Sequence, residues 1–244
     1  MIILLLAATA TALATGVGAI PVFYLGGRAS VWQPFLYGLA AGAMTVASIV
    51  GLLEPGLDQG STTAVIAGLA TGVAFLLIAR AAIGDSDREI DGRSGPGVRI
   101  SLLVFLVLFV HSFPEGFSIG TAYASDVSGL SLFVILAIGL QNIPEGTSVA
   151  IPMAEAGFSR RQQFWAAVLT SAPQPLGAVV AYLLVSTVED LLPFSFGFAA
   201  GAMLALVASD LAPRAFARGG IGRGATGALA GALVMLGLSV ALGV

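Results

Sequence analysis

The chain has 244 residues, 57% of them hydrophobic and only 9% charged, against roughly 25% charged in soluble domains; a soluble globular protein is excluded and an integral membrane protein is indicated. Ten arginines, no lysine and thirteen acids leave a net charge of −3, which argues against a nucleic-acid partner. The absence of cysteine excludes disulfides and thiolate metal sites.

A bilayer-crossing helix needs about 20 mostly apolar residues. Eight segments qualify, at approximately 2–25, 33–53, 61–83, 100–123, 127–155, 162–187, 191–213 and 224–244. The first lacks the basic leader of a signal peptide and reads as a retained span. The second carries Gly38-Leu-Ala-Ala-Gly-Ala-Met44, then Ser48, and ends near Glu54. Between the third and fourth lies a polar loop, about 84–99, with Asp85, Asp87, Glu89 and Asp91. It reads as a solvated connector or, since carboxylates alone suit hard ions, as a Ca²⁺ or Mg²⁺ sensor.

The fourth and fifth spans carry nearly the same phrase, His111-Ser-Phe-Pro-Glu115-Gly116 and Gln141-Asn-Ile-Pro-Glu145-Gly146. A charged side chain at the bilayer centre costs about 2.5–3.5 kcal/mol or more, so a pair of glutamates there points to a function. Residues i and i+4 share a helix face, which stacks His111 on Glu115 and Gln141 on Glu145. A short turn near Tyr123–Ser128 makes the two spans antiparallel neighbours, bringing an imidazole, two carboxylates and an amide together. Pro114 and Pro144 remove the N–H groups that would bond the Val110 and Leu140 carbonyls, and both helices are expected to kink. Taken singly, each feature has a plainer reading: a kink, a packed histidine, a protonated glutamate. Their duplication at matching depth favours a cation site. Mixed nitrogen and oxygen ligation suits Zn²⁺, Fe²⁺ or Mn²⁺, and two carboxylates balance a divalent charge.

The seventh span holds Gly197-Phe-Ala-Ala-Gly-Ala-Met203, matching the phrase in the second at six of seven positions. The two spans run in opposite directions, so the match reads either as an inverted repeat of spans 1–3 and 6–8 about spans 4–5, as in many secondary transporters, or as two small-residue packing faces. Ser209 and Asp210 close the seventh span.

The arginines check the count. Arg28, then Arg80, Arg88, Arg93 and Arg99, then Arg160 and Arg161, then Arg214, Arg218 and Arg223 fall in or beside the first, third, fifth and seventh connections. All ten therefore lie on one side, which the positive-inside rule makes the cytoplasm. Both termini are then outside. The fold expected is an all-α membrane protein, one transmembrane domain over 1–244, with eight helices in an inverted 3+2+3 arrangement.

The paired phrases resemble the ZIP (Zrt-, Irt-like protein) family of divalent metal transporters, and the resemblance covers the whole chain. It implies that His111, Glu115, Gln141 and Glu145 form the main transport site, with the divalent metal, Zn²⁺ first and Fe²⁺, Mn²⁺ or Cd²⁺ also, as substrate and no organic cofactor. A second, binuclear position would involve Ser112, Asn142 and Gln174, the last before Pro175, with Glu115 and Glu145 bridging. Ser112 stands for the usual Asn and Gln174 for a carboxylate, so one metal is expected rather than two. Met44, Ser48 and Met203 would line the pathway, Glu54 its entrance and Ser209–Asp210 its exit. Packing for the methionines and helix-end capping for Glu54 and Asp210 are the plainer alternatives. The resemblance further implies inward movement across the inner membrane, a transport bundle of spans 1, 4, 5 and 6, and a scaffold of spans 2, 3, 7 and 8 carrying a homodimer interface; the partners are the bilayer and the metal cations. Two rivals remain. A metal sensor without flux is one. An intramembrane metallohydrolase is the other, and it lacks His-Glu-x-x-His.

Overall fold

A computed structural model describes residues 1–83, 95–217 and 220–244. Asp85, Asp87, Arg88, Glu89, Asp91, Arg93 and Arg218 lie outside the described residues. Among the described residues there is no β-strand. Eight helices are long and apolar enough to cross a membrane: α1 (Ile2–Leu25), α2 (Arg28–Asp58), α3 (Thr62–Ile83), α4 (Gly97–Ala124), α5 (Leu130–Glu155), α6 (Arg160–Thr187), α7 (Glu189–Ala215) and α8 (Ile221–Leu242). Most run a few residues beyond their apolar stretches. Arg28, Arg160, Arg161, Arg214 and Arg223 therefore sit in helix ends rather than in connections. A long arginine stem lets the charged head leave the apolar zone while its own backbone stays helical.

Helix contacts are set by glycine. An added Cβ at Gly38 or Gly42 of α2 would lie 2.1 or 2.0 Å from the carbonyl oxygens of Gly224 and Ala228 in α8. At Gly197 or Gly201 of α7 it would lie 2.2 Å from those of Val65 and Leu69 in α3. The two copies of the repeated phrase thus make backbone contact with α8 and α3 respectively, as small residues in apolar helices permit. Near the end of each phrase the helix widens into a single π-turn, Ile49–Leu53 in α2 and Val207–Leu211 in α7. Such turns recur at functional sites.

α4 meets α6 and α1 meets α5 in the same manner. A Cβ at Gly116 would stand 1.9 Å from the Gln174 carbonyl oxygen, and one at Gly146 would stand 1.7 Å from that of Thr15. A satellite core joins α1, α4, α5 and α6 through Val22, Leu108, Val149 and Ala167. The main core, including Met44, Phe133, Phe196 and Met203, joins this group to α2 and α7. α3 and α8 are the least buried helices; they expose Ile66, Leu77, Ile78, Leu229, Leu233 and Val240.

α4 and α5 continue through Pro114 and Pro144 without interruption. The interruption is in α6, which the sequence reads as a single helix. It breaks into Arg160–Thr170 and Pro173–Thr187. Ser171 and Ala172 make tight turns to Val168 and Leu169, because Pro173 and Pro175 have no N–H to continue the ladder.

Candidate metal centre

His111 and Glu115 lie one turn apart on α4 with Nε2 and Oε1 at 3.4 Å, and both are fully buried. Glu145, on α5, is 2% exposed. One ligand-capable atom from each of His111, Glu115 and Glu145 falls within 4.8 Å of the others. Atoms bound to one cation at about 2.0–2.2 Å lie no more than about 4.4 Å apart, so small side-chain movements bring the three onto one ion. Gln141, one turn from Glu145, donates through Nε2 to Glu115 Oε1 at 2.7 Å.

The hydrogen-bond census separates this group from its surroundings. His111 Nδ1 and Nε2, Gln141 Oε1 and Glu145 Oε1 are all buried without a hydrogen-bond partner. Leaving a buried polar group unsatisfied costs about 1–3 kcal/mol, and four such atoms lie on His111, Gln141 and Glu145. Each has a lone pair to give: the imidazole through one nitrogen, the amide through its carbonyl, the glutamate through its carboxylate. One nitrogen and several oxygens, with two carboxylates, make a harder donor set than a structural zinc site, suited to first-row divalent ions.

The neighbouring position differs in kind. Gln174 Nε2 donates to Glu115 Oε2 at 2.7 Å and to Asn142 Oδ1 at 3.4 Å. Gln174 Oε1 accepts from Thr11 Oγ1 at 2.9 Å and from Asn142 Nδ2 at 3.3 Å. Asn142 Nδ2 also donates to the Thr11 carbonyl at 2.7 Å, and Ser112 Oγ to the Leu108 carbonyl at 2.9 Å. Here the polar side chains satisfy one another. The interruption of α6 holds Gln174 at this depth, and Ser171 Oγ is tied to Thr15 Oγ1 of α1 at 2.6 Å.

Met44, Ser48 and Met203 are buried, with Ser48 Oγ bonded to the Met44 carbonyl at 2.8 Å. Glu54 is exposed, just after the π-turn of α2. Ser209 is half-buried and its carbonyl accepts from Arg80 Nη1 at 2.6 Å. Asp210 is 5% exposed and contacts two guanidiniums, Arg214 at 2.9 Å and Arg80 at 3.4 Å. Arg214 is legible in the sequence as its i, i+4 partner, whereas Arg80 is not, and neither are Thr11 and Thr15. The threonines had one weak signal, the i, i+4 spacing that puts Thr11 and Thr15 on one helix face.

Comparison with known proteins agrees with the chemistry. The sequence profile described as ZIP zinc transporter matches residues 85–242. An Arabidopsis thaliana protein whose name proposes zinc transport is 36% identical over 213 residues, 85% of this chain. The match spans 33% of that longer protein's length. The zinc transporter GufA of Myxococcus xanthus is 32% identical over 242 residues, covering 94% of this chain and 95% of its own. The zinc transporter ZIPB of Bordetella bronchiseptica is 32% identical over 245 residues, covering 94% and 78%.

Proposed function

Because the chain belongs to the ZIP zinc transporter family, we propose that this multi-pass membrane protein carries divalent transition-metal cations through the His111, Glu115, Gln141 and Glu145 site. The observation that carries the proposal is the meeting of three side chains able to ligate a metal within 4.8 Å in the buried interior. Zn²⁺ is the preferred cargo, with Fe²⁺, Mn²⁺ and Cd²⁺ also accepted by a mixed nitrogen and oxygen set. The charge balance favours this use: two carboxylates facing one dication leave no net charge to strip of water, whereas the same carboxylates alone repel.

One ion is held, not two. A second dication beside Glu115 Oε2 would have to displace the Gln174 amide N–H that bonds it, and the amides and hydroxyl on that side supply no anion of their own.

Movement is by alternating access, with α1, α4, α5 and α6 as a carrier bundle and α2, α3, α7 and α8 as a scaffold and homodimer platform. Matching glycine contacts on α2–α8 and α7–α3 support an inverted 3+2+3 repeat within a single domain. With eight crossings, every described arginine sits at the same end of the bundle. This favours a cytoplasmic arginine face, outside termini, an inner-membrane location and inward delivery. The entrance then lies by Glu54, and the route passes Met44, Ser48 and Met203 toward Ser209 and Asp210.

A sensor without flux is the second reading, favoured by the closed amide network on the Gln174 side. Reconstituted protein separates them. Labelled Zn²⁺ enters proteoliposomes with the parent chain and fails to enter with Glu115→Ala or Glu145→Ala. Full uptake by either variant contradicts the transport site, and binding without uptake by the parent chain favours the sensor.

A further inference from the structure

Between the metal site and the arginine-bearing face lie two cavities. One, of about 570 Å³, is lined on α4 by Leu103 and Val107, on α3 by Leu77 and Arg80, and on α7 by Asp210 and Arg214. The other, of about 390 Å³, is lined by Tyr37 of α2, Ile100 and Val104 of α4, Pro152 and Glu155 of α5, and again Arg214. Val107 is one helical turn from His111, on the same face of α4. The first cavity therefore approaches to within a turn of the metal site.

Arg214 stands where the two cavities meet, and it is held on both sides. Its Nη2 donates to Asp210 Oδ1 at 2.9 Å, its Nη1 reaches the Tyr37 hydroxyl at 3.4 Å, and its guanidinium lies 5.5 Å from the Tyr37 ring centre. Arg80 grips the same carboxylate oxygen at 3.4 Å while bonding the Ser209 carbonyl. Among the described residues, the charged groups lining the larger cavity are one carboxylate and two guanidiniums. A guanidinium is effectively always charged in proteins, so the cavity carries one more positive than negative charge. A cation leaving the metal site meets a net positive vestibule in which Oδ1 of the carboxylate it would use is already shared by two guanidiniums.

We propose that Arg214 and Arg80, clamped on Asp210, form an electrostatic gate on the exit side of the metal site, which a departing divalent cation opens by exchanging with a guanidinium at Asp210. Arg214 is a gating and positioning residue, outside the metal's own ligand set. The inference rests on the transport reading for its role in flux, but the potential in the vestibule is a property of the folded chain alone.

The natural lack of cysteine supplies the test. Val107→Cys places a single thiol in the larger cavity, and its reaction with cationic and anionic methanethiosulfonate reagents reads the local potential. Arg214→Gln in that background raises the cationic-to-anionic rate ratio about fivefold, and Asp210→Asn lowers it by a similar factor. Arg214→Lys keeps the charge and leaves the ratio near its parent value, which separates charge from disturbed folding. In proteoliposomes, Asp210→Asn cuts Zn²⁺ uptake about tenfold by leaving two unbalanced guanidiniums in the path, and adding Arg214→Gln restores most of it. A rate ratio indifferent to Arg214→Gln and Asp210→Asn overturns the gate. So does a loss of flux in Asp210→Asn that removal of Arg214 does not relieve, for Asp210 would then act only as a cation ligand. A parent chain with no flux removes the transport reading, and the reagent ratio still decides whether the vestibule is arginine-controlled.

Discussion

The side-chain nitrogen of Gln174 sits 2.7 Å from Oε2 of Glu115, while Oε1 of the same carboxylate accepts from Gln141 at 2.7 Å. One glutamate is thereby held from two sides by two different helices, α6 and α5. The consequence is asymmetric. Gln141 keeps an unpartnered carbonyl oxygen, but both ends of the Gln174 amide are engaged. That difference is the ground for proposing a single ion.

Gln174→Glu reverses it. The substitution replaces an N–H donor with a second carboxylate against Glu115, so the apo protein gains a repulsion that a cation relieves. Calorimetric titration with Cd²⁺ is expected to rise from one ion per chain to two. A stoichiometry that stays at one places the limit elsewhere than Gln174.

His111→Ala tests the nitrogen donor. Without its only imidazole the site is all oxygen, which favours harder ions over Zn²⁺ and Cd²⁺. Zn²⁺ uptake falls by about tenfold or more, since a lost ligand costs upward of one factor of ten in affinity, and Mn²⁺ uptake falls less. Equal losses for the two metals contradict a direct ligand role for His111.

Gly116→Ala probes the contact that seats Gln174. Its Cβ would stand 1.9 Å from a backbone oxygen of α6, which no rotamer change relieves. The helices must separate, at a cost of about 1–3 kcal/mol, and the Gln174–Glu115 bond is disturbed with them. Gly237→Ala on α8 has no atom within 4 Å of its Cβ and serves as the contrast. Fluorescence-detected melting in detergent drops for Gly116→Ala and holds or rises for Gly237→Ala. Indistinguishable melting of the two variants argues against a close α4–α6 seam.

Much of this arrangement is legible in the sequence. The apolar runs give eight spans, and the arginines divide them into alternating connections. The i, i+4 spacing puts His111 with Glu115 and Gln141 with Glu145, and the structure brings His111, Glu115 and Glu145 into one cluster with Gln141 bonded to it. What escapes is set by tertiary contact. Thr11 and Thr15 have the composition of any packed membrane helix, and only the approach of α1 to α5 and α6 makes them partners of Gln174, Asn142 and Ser171. The interruption of α6 hides within an apolar run whose prolines equally suit a kink. Asp210 reads from sequence as a helix-end acid or an exit ligand. Its clamp needs Arg80, 130 positions earlier, to arrive from α3. Each π-turn is followed two residues on by a proline, Pro55 or Pro213, whose missing N–H frees a carbonyl inside the turn, a mark that in sequence equally suits a plain kink.

The most direct test of the central claim, a single divalent cation shared by α4 and α5, is anomalous diffraction from crystals grown with Cd²⁺. The account predicts one strong peak per chain within ligand distance of His111, Glu115 and Glu145, and none on the Gln174 side. A peak pair straddling Glu115, or no peak between α4 and α5, would contradict it.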